Sequence, residues 1–151
     1  MKRQERLDDI MKKIAVVFWS GTGNTEAMAS AVADGAKAKG ADVTVFTAPE
    51  FDASKLDAFD AIAFGCPAMG AEELEESEFA PMFEDCKAKL SGKKIALFGS
   101  YGWGDGEWMR TWEENCVDAG CVFAADYVIC NEAPDDDAIS ACNALGAALA
   151  E

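Results

Sequence analysis

The alternation of short apolar runs with longer amphipathic segments predicts an α/β domain, a doubly wound parallel sheet with helices on both faces. Five strand-like runs are each followed by a helix-like segment. The runs are apolar throughout, as expected of parallel strands that are covered on both sides. No repeat or linker divides the 151 residues, and 50% of them are hydrophobic, so we expect one domain with a substantial core.

Three of the predicted strands lie in the first half of the chain. They are expected at Ile14–Trp19, Val43–Thr47 and Ala61–Gly65. Between the first two, the pattern predicts a helix over Thr25–Lys39, because Gly40 follows it as a typical C-terminal cap. A short helix is expected near Ala53–Phe59.

The second half of the chain continues the same alternation. Strands are expected at Ile95–Gly99 and Val122–Cys130, and helices at Phe79–Leu90, Glu107–Ala119 and Asp136–Ala150. Two unusual loops separate these elements, a long acidic one over Cys66–Glu78 and a glycine-rich one over Ser100–Asp105. We predict that both lie at the carboxyl edge of the sheet, because they follow the third and fourth strands.

Residues 1–13 differ in composition from the rest and are expected to form an N-terminal extension to a domain that spans residues 14–151. They are mostly charged, and Leu7, Ile10 and Met11 are their only apolar points besides the first Met. The spacing of these three permits a short amphipathic helix, and a frayed tail is the alternative.

The charge balance narrows the possible partners. The formal net charge is −15, which repels nucleic acid and anionic membrane surfaces and favours a basic protein partner through electrostatic steering. The chain has no His, which removes the commonest general base and metal ligand. We therefore expect no catalytic triad and no metal site.

The six cysteines form no C-x-x-C pair, and their closest spacing is Cys116 to Cys121. We expect them to be reduced and mostly buried thiols, in preference to disulfides or metal ligands. The apolar runs are strand-sized, so neither a signal peptide nor a membrane span is expected, and the predicted location is the cytoplasm.

The glycine-rich run from Trp19 to Thr25 joins the first strand to the first helix and predicts a phosphate site. Unpaired backbone N–H groups and the positive end of the helix dipole meet at such a turn. No Lys or Arg occurs between Lys13 and Lys37, which excludes a triphosphatase loop, and Glu26 occupies the last glycine position of a dinucleotide fingerprint. The loop instead offers neutral hydroxyl and amide donors.

Two further loops indicate that the ligand carries a flat ring. Trp103 lies among glycines that leave little bulk to bury it, and Met69 lies in a surface loop. If the loops after strands one, three and four meet at one edge, they place a phosphate cage beside two apolar contacts. A phosphate attached to an aromatic ring between Met69 and Trp103 describes flavin mononucleotide (FMN).

Three motifs carry a resemblance to a known family. Ser20-Gly21-Thr22-Gly23-Asn24-Thr25, Met69-Gly70-Ala71-Glu72 and Ser100-Tyr101-Gly102-Trp103-Gly104 resemble the cofactor loops of flavodoxins, most closely the short-chain type of anaerobic bacteria. The similarity extends from about Ile14 to the C-terminus. It implies a flavodoxin-like sheet with strand order 2-1-3-4-5 and FMN as the cofactor.

The resemblance also assigns roles to residues. It implies that Met69 lies on the inner face of the ring and Trp103 on the outer, that Glu72 accepts from N3–H, and that the carbonyl of Gly70 turns toward N5–H. Ala71 departs from the small polar residue that is usual there. The full set of expected cofactor-binding residues is Ser20, Gly21, Thr22, Gly23, Asn24, Thr25, Pro67, Ala68, Met69, Gly70, Ala71, Glu72, Ser100, Tyr101, Gly102, Trp103, Gly104 and Asn131.

The implied function is a low-potential one-electron carrier that cycles FMN between its neutral semiquinone and its hydroquinone and serves redox enzymes in place of ferredoxin. Acidic residues around the ring would disfavour the second electron; they are Glu72, Glu73, Glu75, Glu76, Asp105 and Glu107. Expected partners are ferredoxin-using oxidoreductases with basic docking patches, and we expect a monomer.

Two other classes of protein use a similar fold. A small flavin-dependent reductase acting on NAD(P)H or a quinone would use a similar fold, although no substrate pocket or acid–base set is visible. A phosphorylated receiver domain would need carboxylates at the ends of strands one and three, where this chain has Trp19-Ser20 and Gly65-Cys66.

Overall fold

The computed structural model, which describes residues 12–69, 73–102 and 104–151, contains a parallel sheet between two layers of helices. The strands are β1 (Lys13–Phe18), β2 (Asp42–Thr47), β3 (Ala61–Gly65), β4 (Lys94–Tyr101), β5 (Val122–Phe123) and β6 (Val128–Asn131). The helices are α1 (Asn24–Ala38), α2 (Phe79–Lys87), α3 (Glu107–Asp118) and α4 (Asp136–Leu149). Short 3₁₀ turns occupy Ala48–Glu50 and Ala53–Ala58.

The sheet has the strand order β2-β1-β3-β4-β5, with β6 also paired to β4, and every pair is parallel. The predicted fold class and strand order are therefore confirmed. Phe18 is in register with Gly65, and Gly65 with Phe98, so the loops after β1, β3 and β4 leave the same edge of the sheet. The strand order reverses beside β1, which is where doubly wound sheets bind ligands.

The fifth strand position differs from the prediction, because the single strand expected at Val122–Cys130 is split into β5 and β6. Ile95 pairs with Phe123 and Phe98 pairs with Val128. Between these pairs β4 advances three residues while the neighbouring segment advances five, so the segment carries two extra residues that leave the ladder. Because the number of extra residues is even, the side chains before and after them still alternate between the same two faces of the sheet. The sequence pattern therefore does not reveal the split.

Three element boundaries also differ from the predictions. β4 continues through Ser100 and Tyr101, which were expected in a loop, so these two residues belong to a strand end. α2 ends at Lys87 and not at Leu90, and the helix expected near Ala53–Phe59 is a 3₁₀ turn. Of the expected N-terminal extension, residues 1–11 lie outside the described part of the chain.

The sheet separates two cores of different composition. One, here called the aromatic face, lies under α2 and α3 and contains the buried rings of Phe64, Phe79, Phe83, Trp108 and Trp112. Its rings meet mostly edge to face; Phe64 and Phe83 have centroids 5.1 Å apart and Phe79 and Trp112 have centroids 5.4 Å apart. Such geometry suits the aromatic quadrupoles and fills the space between helices and sheet.

The other core, here called the small-residue face, lies under α1 and α4 and is rich in alanine. The two helices approach so closely that a Cβ built on Gly35 would lie 2.0 Å from the carbonyl oxygen of Asn143. A Cβ on Gly146 would lie 1.9 Å from the carbonyl oxygen of Val32. Glycine is therefore required at both positions by the contact between the helix backbones.

Within the described residues, no helix combines the length and the apolar character that crossing a bilayer requires.

Candidate functional site

The loop between β1 and α1 forms the first wall of the site. Gly23 is the residue before the helix and has φ 96°, a left-handed conformation that suits glycine. The Ser20 hydroxyl oxygen accepts hydrogen bonds from the backbone N–H groups of Gly23 (3.1 Å) and Glu26 (3.2 Å). This side chain therefore holds the loop against the first turn of the helix, and its own hydroxyl hydrogen stays free to donate.

Thr25 presents an unsatisfied polar atom at this loop. The residue is 1% exposed, and its hydroxyl oxygen has no hydrogen-bond partner among the residues that the structure describes. An unpaired buried hydroxyl costs about 1–3 kcal/mol. Thr25 lines the cavity between the loops, so its hydroxyl is available to a ligand there.

Trp19 closes one side of the same loop and was not among the predicted site residues. Its indole N–H donates to the Glu78 carboxylate at 2.8 Å, and its backbone N–H donates to the carbonyl of Gly65 at 3.0 Å. Its ring lies over Gly21, where a Cβ would be 3.1 Å from the nearest ring carbon. The residue ties the first loop to the segment before α2.

The loop after β3 supplies the second wall. The backbone N–H of Ala68 donates to the carbonyl of Ser100 at 3.1 Å, which extends the ladder between β3 and β4 into the loop. Met69 and Glu73 then exchange two backbone hydrogen bonds of 2.8 Å each. Met69 is 36% exposed, an unusual state for a large apolar side chain in this structure. The predicted residues Gly70, Ala71 and Glu72 lie outside the described residues.

The end of β4 supplies the third wall. The Ser100 hydroxyl donates to the carbonyl of Glu132 at 2.6 Å, and the backbone N–H of Glu132 donates to the carbonyl of Tyr101 at 2.8 Å. The Asn131 side-chain amide donates to the same Tyr101 carbonyl at 3.3 Å. These contacts fix the turn after β6 against the end of β4, and Glu132 has φ 59°, which is uncommon for a residue with a side chain. Trp103 lies outside the described residues.

The three walls enclose a cavity of about 210 Å³. Its lining among the described residues is Trp19, Ser20, Gly21, Thr22, Asn24, Thr25, Pro67, Ala68, Met69, Ser100, Tyr101, Gly102 and Glu132. Eleven of these thirteen belong to the predicted set, so the structure brings all three predicted loops to one place. Pockets for whole ligands usually measure about 300–1,000 Å³, so a nucleotide here would remain partly exposed.

Three predicted residues of the described part do not line the cavity. Gly23 serves as the cap residue of α1, Gly104 lies further along the third loop with φ 85°, and the Asn131 side chain points to the Tyr101 carbonyl. Trp19 and Glu132, which sequence reasoning missed, take part instead. Trp19 ends a predicted strand, and that position is the signal that could have found it. Glu132 directly follows β6, whose end at Asn131 lies one residue beyond the predicted strand.

The burial of Glu75 differs from what the sequence predicts. It was expected among the surface acids, yet it is 5% exposed and accepts hydrogen bonds from the backbone N–H groups of Glu78 and Phe79, each at 2.8 Å. Burial raises the pKa of this carboxyl, but the Ser77 hydroxyl and the three backbone N–H donors lower it more, to about 2. Glu75 therefore anchors the second loop to the start of α2.

The remaining electrostatics of the site are acidic. Glu73, Glu76 and Asp105 are exposed on the second and third loops, and Glu107 is exposed at the start of α3. No Lys or Arg lines the cavity among the described residues. Any anion held in the first loop is therefore bound by neutral donors and by the positive end of α1.

Comparisons with known proteins agree on one family. The sequence model described as Flavodoxin matches residues 16–145. The chain is similar to the flavodoxin of Megasphaera elsdenii, with 46% identity over 138 residues, which cover 91% of this chain and 98% of that protein. It is also similar to the flavodoxin of Clostridium beijerinckii, with 49% identity over 121 residues, or 80% of this chain and 88% of that protein.

Solved structures give the same result. The solution structure of two-electron reduced Megasphaera elsdenii flavodoxin matches with a TM-score of 0.83 and 47% identity, covering 91% of this chain and 98% of that one. A flavodoxin from the domain Archaea matches with a TM-score of 0.80 and 31% identity, covering 91% of this chain and 96% of that one.

Proposed function

Because the chain belongs to the flavodoxin family, we propose that it is a low-potential carrier that transfers one electron at a time on FMN bound in the cavity. Flavodoxins are FMN-bound electron-transfer proteins without a substrate of their own, and the family therefore does not favour the alternative of a reductase. The carrier role follows from the family, whereas the potential, the site residues and the partners below are proposals for this chain.

The unpaired hydroxyl of Thr25 is the observation that carries the assignment of the phosphate site. It is buried at the first helical turn, beside a loop whose other groups are neutral donors. A phosphate supplies several strong acceptor oxygens and is favoured at a helix N-terminus. The residues present thus fit the phosphate end of FMN, and we assign it to Ser20, Gly21, Thr22, Gly23, Asn24 and Thr25.

We assign the ring end to the second and third loops. The exposed Met69 offers an apolar surface at the mouth of the cavity, and Pro67, Ala68, Tyr101 and Gly102 line it. By family resemblance we add Gly70, Ala71, Glu72, Trp103, Gly104 and Asn131. When bound, FMN supplies the redox chemistry, and the chain's residues hold it, shield its faces and set the charge around it.

The acidic surroundings support a low potential. A reduced flavin that gains negative charge is disfavoured by nearby carboxylates, and Glu73, Glu76 and Asp105 are exposed on the ring-side loops. Glu75 is ionised at neutral pH as well, but its charge is held by hydrogen-bond donors of the chain.

The same charge supports a proposal about partners. Family membership implies redox proteins in general, and we propose that those of this chain are ferredoxin-using oxidoreductases that dock a basic patch on the acidic edge. A net charge of −15 favours such an encounter and predicts that it weakens as salt rises. We further propose a monomeric, cytoplasmic protein whose FMN-binding domain spans residues 14–151 and whose first thirteen residues are an extension.

A substitution of Thr25 by Val tests the phosphate site. Val is nearly isosteric and removes the unpaired hydroxyl, so the apoprotein should gain about 1 kcal/mol of unfolding free energy. FMN affinity should fall about tenfold, since one hydrogen bond to a charged group is lost. Affinity for riboflavin, which has no phosphate, should not change. Both affinities are measured by quenching of flavin fluorescence.

Thr22→Val is the matched control, because Thr22 lines the same cavity but is exposed. It should leave apoprotein stability unchanged. An equal loss of FMN and riboflavin affinity in Thr25→Val would contradict the placement of the phosphate.

A stepwise reductive titration tests the carrier role. The holoprotein should show a long-wavelength absorbance band that rises and then decays as electrons are added, because a one-electron state is stabilised. Rapid consumption of NAD(P)H by the purified protein alone would instead indicate a reductase.

A further inference from the structure

Cys116 and Cys121 meet where α3 ends and the chain turns toward β5. The backbone N–H of Cys121 donates to the carbonyl of Cys116 at 3.1 Å, and that of Gly120 donates to Val117 at 3.0 Å. Gly120 has φ 85° between them. These are the two hydrogen bonds and the left-handed residue of a Schellman motif, which brings the side chains of its first and last residues into contact. Cys121 packs against the buried cluster that contains Cys116.

The two thiols differ in exposure and acidity. Cys116 is 0% exposed, whereas Cys121 is half-buried and can be reached from solvent. The neighbouring Cys116 thiol lowers the pKa of the Cys121 thiol, whereas Cys121 and burial together raise the pKa of Cys116. An accessible thiol that ionises more readily, backed by a buried thiol, is the arrangement in which a first sulfur reacts and a second resolves the product.

We propose that Cys116 and Cys121 form a dithiol modification site that hydrogen peroxide converts to an intramolecular disulfide. The Cys121 thiol releases its proton, and the thiolate attacks one peroxide oxygen. The O–O bond breaks, a sulfenic acid forms, and the expelled hydroxide takes up the released proton and leaves as the first water. The Cys116 sulfur then attacks the Cys121 sulfur, and the S–S bond forms as the S–OH bond breaks. The Cys116 proton leaves with the hydroxide as a second water, so two thiols and one peroxide give one disulfide and two waters.

The other cysteines of the chain lack this combination. Cys130 and Cys142 are neighbours, but burial raises the pKa of both, to about 12 for Cys142. The Cys130 thiol also lies 3.6 Å from the sulfur of Met28, in a contact without a second thiol. Cys66 and Cys86 are buried, and burial raises the pKa of each to about 12.

The pair lies away from the cofactor cavity. Val122 is in register with Lys94 at the start of β4, and the backbone N–H of Gly92 donates to the carbonyl of Gly120 at 2.8 Å. The motif is thus at the amino edge of the sheet, while the cavity is at the carboxyl edge. The proposal therefore does not depend on electron transfer, and the two can be tested separately.

Peptide mapping of the oxidised holoprotein tests the site. The protein with FMN bound is treated with hydrogen peroxide, alkylated, and digested with a protease that cleaves before Asp. Cuts at Asp118 and Asp126 separate Cys116, Cys121 and Cys130 into different peptides. We expect a disulfide-linked pair containing Cys116 and Cys121, the loss of two free thiols, and full recovery with a dithiol reductant.

Three variants sharpen the result. In Cys116→Ser the oxidation should stop at a sulfenic acid on Cys121, which a dimedone probe traps, and in Cys121→Ser no disulfide should form. Cys130→Ser is the matched control, because Cys130 is the other half-buried thiol, and it should behave as the parent protein. In the parent, Cys121 should react with peroxide about tenfold faster than Cys130.

Three outcomes would overturn the proposal. They are a disulfide between Cys130 and Cys142, irreversible oxidation of Cys121 without a link to Cys116, and equal reactivity of Cys121 and Cys130. The measurement on the parent protein decides among them even if a variant folds poorly.

Discussion

On the small-residue face α1 and α4 approach until backbone touches backbone, whereas on the aromatic face α2 and α3 are held away from the sheet by rings. A Cβ on Gly146 would meet the Val32 carbonyl at 1.9 Å, while Phe64 and Phe83 meet with centroids 5.1 Å apart. The first face leads to the phosphate loop through α1. The second supports the ring-side loops through α2 and α3. We therefore expect stability to fall when a substitution adds atoms on the small-residue face. On the aromatic face we expect it to fall when a substitution removes them.

The loops of the site are held in place in correspondingly different ways. The phosphate loop presents backbone N–H groups at the start of α1, so its geometry follows from a helix whose backbone packs directly against that of α4. The ring-side loops are held by side chains of the aromatic face and its surroundings. The indole N–H of Trp108 donates to the Cys66 carbonyl at 3.1 Å, and that of Trp19 donates to Glu78 at 2.8 Å. We infer that the phosphate end of the site is the more rigid one.

The largest effect is expected from Phe64→Ala on the aromatic face. Phe64 is 0% exposed, and its removal leaves a cavity among neighbouring rings, so the free energy of unfolding should fall by about 3–5 kcal/mol. Urea denaturation of the apoprotein measures it. Val117→Ala, at a residue that is 59% exposed, is the control and should change stability by about 0.5 kcal/mol or less.

The small-residue face should respond to the opposite change. Gly146→Ala would normally favour a helix, but the added methyl must displace the Val32 carbonyl, so we expect a loss of about 3 kcal/mol. The control is the reverse substitution on the same helix at an exposed position: Ala144→Gly should cost about 1 kcal/mol through helix propensity. A stabilised Gly146→Ala protein would contradict the close contact between α1 and α4.

Local patterns in the sequence were sufficient to predict the sheet and the meeting of the three loops at one cavity. The turn from Trp19 to Thr25 is defined by neighbours in sequence, and parallel strands bring their carboxyl ends to one edge, so the three loops met as predicted. Residues that follow the ends of different strands therefore lie in one cavity.

What the sequence did not reveal depends on contacts between distant residues. The split of the fifth strand arises from its register with β4, and the segment 124–127 contains no Gly or Pro to mark it. Glu75 resembles its acidic neighbours until the chain folds and the N–H groups at the start of α2 surround its carboxylate. Glu132 enters the cavity through its contacts with Tyr101 and Ser100.

A smaller effect, dependent on pH, is expected at Glu75 on the ring side. Its pKa falls from an ordinary 4.5 to about 2 on folding, so the ionised form stabilises the folded protein at pH values above 4.5. That contribution should be lost as the pH falls from 4.5 through 2. Glu75→Gln should lack it at neutral pH, and its stability should change less over this range. Glu76→Gln, at an exposed neighbour, is the control.

The smallest effect is expected from Trp19→Phe, which removes the indole N–H that donates to Glu78 together with the outer indole carbons that lie over Gly21. The loss of one such hydrogen bond should lower the unfolding free energy by about 1 kcal/mol. Glu78→Gln is the matched control, since its amide oxygen still accepts, and it should retain most of that energy. If the ring-side loops are indeed held by side chains, Trp19→Phe should also accelerate amide hydrogen exchange around Glu78, while exchange in α1 stays unchanged. Equal acceleration in both regions would remove the distinction between a phosphate end fixed by backbone contact and a ring end fixed by side chains.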